Sequence, residues 1–309
     1  MTTGNAPDGR LLDRWQKLWL DRIPPHIYAL LRIVLGIIGI LTLLGLHDLS
    51  AFWRLSGFVA LGDGGLGLKP LLVVRGWGDI AGVLIYFGCL ASLVCMTLGI
   101  SSGMSVAAAL TASLLQLAWN YLPLSGAHQA FQAFLFCLIW ADCGAVWSVD
   151  SWRERRRSGV RTEPEPALIA PLQMMRAQVA IIYLNSGFWK LMNPDWRNGS
   201  AIHYALNGNI YQRFPGGVPF GLEGMATMLT FATLFWELSF AFFVFFRPTR
   251  RIALIVGVVM HLGMMTFLEI GPFHLVMLAS YLAYLNPDDV PRFVQSVSAR
   301  IRARRVVHA

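Results

Sequence analysis

Eight apolar runs mark the chain, at roughly 27–46, 80–100, 104–122, 129–148, 171–192, 225–246, 251–268 and 272–286. Each approaches the roughly 20 residues a helix needs to cross a bilayer. Polar positions within them are too sparse to form a water-facing stripe. The pattern predicts an all-α fold: a polytopic helical membrane protein with about eight transmembrane helices. It divides the chain into a segment at 1–26, a transmembrane domain at 27–286 and a basic tail at 287–309. Two long connections, 47–79 and 193–224, are rich in glycine and aromatic residues. Within them AFWRLSGFVAL (51–61) is expected to lie along the membrane interface, and 199–208 to form a short helix. The charged stretch 149–170, with EPEP at 163–166, reads as a solvated linker.

Charge orients the pattern. The chain carries 25 Lys and Arg against 17 Asp and Glu. With eight alternating spans and an inside N-terminus, seventeen basic residues fall on the cytoplasmic side and five on the other. The inside set includes RERRR (153–157), Arg247, Arg250, Arg251 and the tail arginines. That asymmetry places both termini in the cytoplasm. It also explains the formal charge of +8 without nucleic acid as a partner. Hydrophobic residues make up 56% of the chain and charged ones 14%, against about 25% charged in a soluble domain. The four cysteines show no CxxC and no Cys/His spacing suited to zinc, so no metal is expected.

Ionisable residues inside apolar runs are costly and usually face protein or water. They are Arg32, Asp142, Arg176, Lys190, Glu237, His261 and His274. Arg32, Asp142 and Arg176 fall in the inner half, where Asp142 is expected to pair with one or both arginines. Glu237 and His261 lie near mid-depth. His128, Lys190 and His274 lie near outer ends. Of three lysines, only Lys190 lies against a span, in SGFWKLMNPDW (186–196). From position alone Lys190 reads as a snorkelling anchor or as a base in a dry pocket. Trp189, Trp196 and Trp236 fit an interfacial aromatic belt. Tyr183, Asn185 and Ser186 read equally as interhelical hydrogen-bond partners or ligand contacts. No HExxH, GxSxG, P-loop or GxGxxG is present.

Three blocks carry a family resemblance: His128 with the following DCGAVWSVD (142–150), QVAIIYLNSGFWKLMNPDWRNGSA (178–201), and LFWELSFAFFVFF with MHLGMMTFLEIGPFHLVMLASYL (234–282). In order and spacing they resemble the HTTM membrane domain shared with vitamin K-dependent gamma-glutamyl carboxylase. The resemblance implies a catalytic set of Lys190, His128 and His261, with Lys190 as the base. It also implies a reduced vitamin K or menaquinone hydroquinone as cofactor, with O2 and CO2 as co-substrates. Tyr183, Trp189, Trp196, Glu237 and His274 are the expected cofactor-binding residues. The implied reaction oxidises the hydroquinone, generates a strong base and carboxylates a glutamate side chain. Two positions depart from the family pattern, Ala127 where an asparagine is expected and Trp189 where a second lysine is.

Three functions follow. The first is a membrane enzyme acting at the outer face of a bacterial cytoplasmic membrane on a peptide or small substrate. The second is a non-catalytic membrane partner in the maturation or export of a secreted peptide. The third is a transporter. Under the first, Lys190→Ala abolishes activity and Lys190→Arg does not rescue it, because guanidinium stays protonated. Membrane lipid, a quinone and a secreted peptide or partner protein are the expected partners.

Overall fold

Apolar runs lacking a polar stripe fold as helices because only an internally hydrogen-bonded backbone survives in hydrocarbon. The structure, a computed structural model, describes residues 7–45, 78–119, 126–159, 163–215 and 219–307 and is almost wholly helical. The expected interfacial stretch 51–61 lies outside the described residues. The chain divides into two units, Met1–Met175 with Leu282–Ala309, and Arg176–Tyr281.

In the first unit α1 (Pro7–Leu20) leads through a two-residue strand, β1 (Arg22–Ile23), to α2 (His26–Leu44). Next come α3 (Gly78–Leu98), α4 (Ser102–Trp119), α5 (Gly126–Ile139) and α6 (Val149–Ser158). Strand β2 (Ala167–Leu168) pairs antiparallel with β1, Arg22 opposite Leu168. Helix α7 (Ala170–Met192) begins here, and α13 (Asp289–Val307) packs against α2. Close approach of α2 to α3 depends on two glycines. A Cβ on Gly36 would collide with Thr97 Oγ1, and one on Gly39 would lie 2.8 Å from Leu93 Cδ2 and 2.9 Å from Phe131. Small residues of this kind let helix backbones approach in membranes. The outer faces stay apolar, with Ile37, Leu41, Leu84 and Phe87 exposed.

A buried cation organises one end of this unit. Arg32 has no exposed surface. Its Nη2 donates to the Trp147 carbonyl (2.6 Å) and Nη1 to Ser102 Oγ (3.3 Å). Ser102 Oγ donates onward to Asp150 Oδ2 (2.8 Å), which also accepts the Ser102 N–H (2.7 Å), while Oδ1 accepts the Ser101 N–H (2.9 Å). Gly99 turns at φ +70°, where a Cβ would meet both Arg32 and Ser148. The expected Asp142–Arg32 pair is therefore corrected. Asp142 is exposed, and Arg32 spends its donors on a hydroxyl and a carbonyl. The run 129–148 is likewise not one helix. α5 stops at Ile139, and the irregular stretch beyond it carries the Trp147 carbonyl that Arg32 binds, with Trp147 itself at φ +50°. The stretch 149–170 also differs from the linker reading. Ser148 caps α6 reciprocally with Ser151, a box that starts a helix despite the run of arginines.

The second unit contains the rest of α7, then α8 (Pro194–Arg197), α9 (Ala201–Asn207), a 3₁₀ turn (Pro219–Met225), α10 (Ala226–Phe245), α11 (Arg247–Phe267) and α12 (Phe273–Ser280). NPDW forms a tight cap: the Asn193 side chain accepts the Asp195 N–H (2.8 Å), with Pro194 in the first turn of α8. Gly187 lets α7 come close to α10, where a Cβ would sit 2.9 Å from Leu238 Cδ2 and 3.2 Å from the Leu238 backbone nitrogen. The expected short helix at 199–208 is present as α9. The eighth run is helical only over Phe273–Ser280, followed by a 3₁₀ turn, Tyr281–Tyr284.

Among the described residues four helices are long and apolar enough to cross a membrane: His26–Leu44, Ile80–Leu98, Glu223–Phe245 and Arg247–Phe267. Ser102–Leu117, Gly126–Ile139 and Phe273–Tyr284 are apolar but shorter. α7 has the length, at 23 residues, but carries Gln173, Arg176, Gln178, Asn185 and Lys190.

Candidate functional site

The second unit collects most of the residues singled out above. On α7, Tyr183, Ser186 with Gly187, and Lys190 recur at three- to four-residue steps and so share a face. Trp189 falls on the other side and is 66% exposed. α10 contributes Trp236, Glu237 and Phe240, α11 contributes His261, and α12 contributes His274.

Lys190 pairs with Glu237 through Oε1 and donates to Ser186 Oγ (3.2 Å). Its Nζ also lies over the Trp196 ring, 4.8 Å from the centroid. The carboxylate and the ring face both attract a cation. The Lys190 side chain is 23% exposed and that of Glu237 only 6%. Lys190 is thus a paired cation held by side chains of its own unit rather than a free anchor.

Beside this pair stands an aromatic cluster centred on Tyr183. Its hydroxyl lies 2.6 Å from His261 Nε2 and 2.6 Å from the Tyr281 hydroxyl. The Tyr183 ring meets Trp236 edge-on at 4.7 Å and Phe240 at 4.4 Å. His261 and His274 are buried with ring centroids 6.0 Å apart. Trp236 is also buried, which corrects its assignment to an interfacial belt. Gly257 makes room for the cluster, since a Cβ there would collide with the Tyr281 hydroxyl and approach Trp236 to 2.8 Å.

Five polar atoms here are buried without a hydrogen-bond partner among the described residues: Trp236 Nε1, Glu237 Oε2, His261 Nδ1, and both ring nitrogens of His274. Native proteins rarely leave buried polar atoms unmatched, and such atoms call for an explanation. A separate apolar cavity of about 330 Å³ opens between α9, α10 and α11, with Ile202, Leu206, Trp236, Met260 and Phe267 on its walls. Trp236 is common to the cavity and the cluster.

His128 belongs to the first unit, in the opening turn of α5, where it is half-buried. Tyr183, Lys190, Trp196, Glu237, His261 and His274 all belong to the second. Tyr281 escaped the sequence reading. The signal that could have found it is its spacing of seven from His274, two helical turns on one face. No group of three or more metal-ligating side chains occurs among the described residues.

The HTTM domain family model matches residues 79–288. The sporulation-delaying protein SdpB of Bacillus subtilis (strain 168) is 27% identical over 146 residues, covering 44% of this chain and 44% of SdpB. The chain thus spans less than half the length of that relative. The uncharacterized protein YitO of the same organism is 25% identical over 290 residues, covering 88% of this chain and 89% of YitO. No solved structure matches the chain.

Proposed function

The chain belongs to the HTTM family of membrane proteins, and from that premise we propose that it is a multi-pass membrane enzyme that binds a reduced quinone in its second unit. Its work is the modification of a peptide on the non-cytoplasmic side of a bacterial membrane. The observation that carries this reading is the set of five buried polar atoms on α10, α11 and α12 that are unmatched among the described residues.

The residues present fit such a ligand. Tyr183, Trp236 and Phe240 supply aromatic surface for a flat head group. His261 Nδ1, the His274 nitrogens and Trp236 Nε1 supply hydrogen-bonding atoms for ring oxygens. The apolar cavity bordered by Trp236 suits a hydrocarbon tail. When bound, a reduced quinone would supply reducing power toward O2 and hence the driving force for removing a proton from a glutamate carbon, which CO2 then carboxylates. The chain's own residues bind and orient the head group through the cluster. The Lys190–Glu237 pair is the centre that takes up its proton. Eight spans with cytoplasmic termini would set this site toward the outer face, a topology supported by the arginine asymmetry.

The test is anaerobic titration of the full chain in lipid nanodiscs with a reduced naphthoquinone, followed by tryptophan fluorescence. Saturable quenching is expected, and His261→Ala should weaken binding by about tenfold, the worth of one buried hydrogen bond. Absence of saturable quenching in the wild type overturns the reading. Incorporation of labelled CO2 into a glutamate-containing peptide then tests the reaction.

A further inference from the structure

We propose that Glu237, rather than Lys190, is the atom-for-atom acceptor of the ligand's proton, and that Lys190 serves it as a fixed ammonium. This rests on the reading that an aromatic hydroxyl binds in the second unit.

The two oxygens of Glu237 are differently placed. Oε1 is engaged by Lys190, while Oε2 is buried and has no partner among the described residues. An ionised carboxylate is acceptor-only, so Oε2 lacks a donor that a ligand hydroxyl would provide. The lysine nitrogen is in the opposite position. Glu237, Ser186 and the face of Trp196 surround it, and the carboxylate and the ring suit an ammonium. A neutral lysine beside an ionised Glu237 would leave a buried carboxylate uncompensated, which is strongly unfavourable.

The proton balance is simple. The ligand O–H bond breaks, the proton moves to Glu237 Oε2, and the electron pair stays on the ligand oxygen. Glu237 becomes neutral, and the Lys190 ammonium matches the new negative charge. One positive and one negative charge are present before and after, so no charge enters or leaves the buried site.

The experiment is infrared difference spectroscopy of the full chain in nanodiscs on anaerobic addition of menadiol, with binding monitored in parallel by tryptophan quenching. The wild type should lose a carboxylate band and gain the carbonyl band of a protonated carboxyl group. Glu237→Gln should abolish that change and bind menadiol about tenfold more weakly or worse, for loss of a charged acceptor. Lys190→Arg should keep the band at reduced amplitude, because arginine preserves the positive charge but not the geometry. A merely structural carboxylate would give no such band. Menadiol binding without a new carboxyl band in the wild type overturns the inference and leaves the binding reading standing. So does a band that survives Glu237→Gln or vanishes in Lys190→Arg while menadiol still binds. No menadiol binding to the wild type overturns both. Should Glu237→Gln fail to accumulate, the wild-type and Lys190→Arg spectra decide alone.

Discussion

Arg32 and Lys190 are both cations set within helices of apolar sequence, and their surroundings differ in kind. Arg32 in the first unit is wholly buried, and its terminal nitrogens are bound to a backbone carbonyl and a serine hydroxyl that leads on to Asp150. Of that network only Arg32 Nε is left without a partner among the described residues. Lys190 in the second unit is partly exposed, and its carboxylate partner keeps one oxygen bare beside a cluster with four more unmatched atoms. A nearly saturated network holds backbone in place. An unsaturated one is poised to receive something. The position of a charge inside a span therefore does not reveal its purpose, but its remaining hydrogen-bonding capacity does.

The sharpest way to break the comparison is to remove each cation. Arg32→Ala should cost on the order of 2–4 kcal/mol of stability, because it removes the donors to the Trp147 carbonyl and the Ser102 hydroxyl and leaves a fully buried side-chain space empty. Thermal unfolding in detergent would show this, and a small shift would mean the first network is not structural. Gly257→Ala comes next. The added methyl must displace Tyr281 or Trp236, and overpacking of this kind costs about 1–3 kcal/mol. It should also weaken quinol binding, which fluorescence titration would measure.

His274→Phe should move stability the other way. Both ring nitrogens are buried and unmatched, so an apolar ring of similar shape should stabilise the fold by on the order of 1 kcal/mol while impairing ligand binding. A destabilised variant would show that His274 has a structural partner after all.

The smallest effect concerns Asp150. Burial alone would raise its carboxyl pKa, but the N–H groups of Ser102 and Ser101, the Ser102 hydroxyl and the nearby Arg153 outweigh it and hold the value below 3.8. A depressed folded value means that the stabilisation is complete above the unfolded value and is lost as pH falls below about 3.8 through the folded one. Asp150→Asn should remove that acid limb from a stability–pH profile, at a cost of about 1 kcal/mol at neutral pH.

Much of the helical layout was legible in the apolar runs, since α2, α3, α10 and α11 follow directly from them. The break at DCGAVWSVD was not. Val146 and Trp147 look like span residues, and nothing local signals that the Trp147 carbonyl meets Arg32, 115 residues away in sequence. At the candidate site, Lys190, Glu237, Tyr183 and His261 were each visible as unusual residues in apolar surroundings. Their partnerships were not, because Lys190 and Glu237 are 47 residues apart and Tyr183 and His261 are 78 apart. Periodicity reports which face a residue takes but not what lies opposite.

Gly187 shows how a hydrogen atom can act as a ruler. Three residues before Lys190 and opposite the residue after Glu237, it lets the two helix backbones approach so closely that a methyl group would press on the main chain of α10. The spacing of the charged pair is thus written in an absence. A change here would touch no charged or hydrogen-bonding side chain, yet it would detune the pair by widening the gap that proton and cation must share.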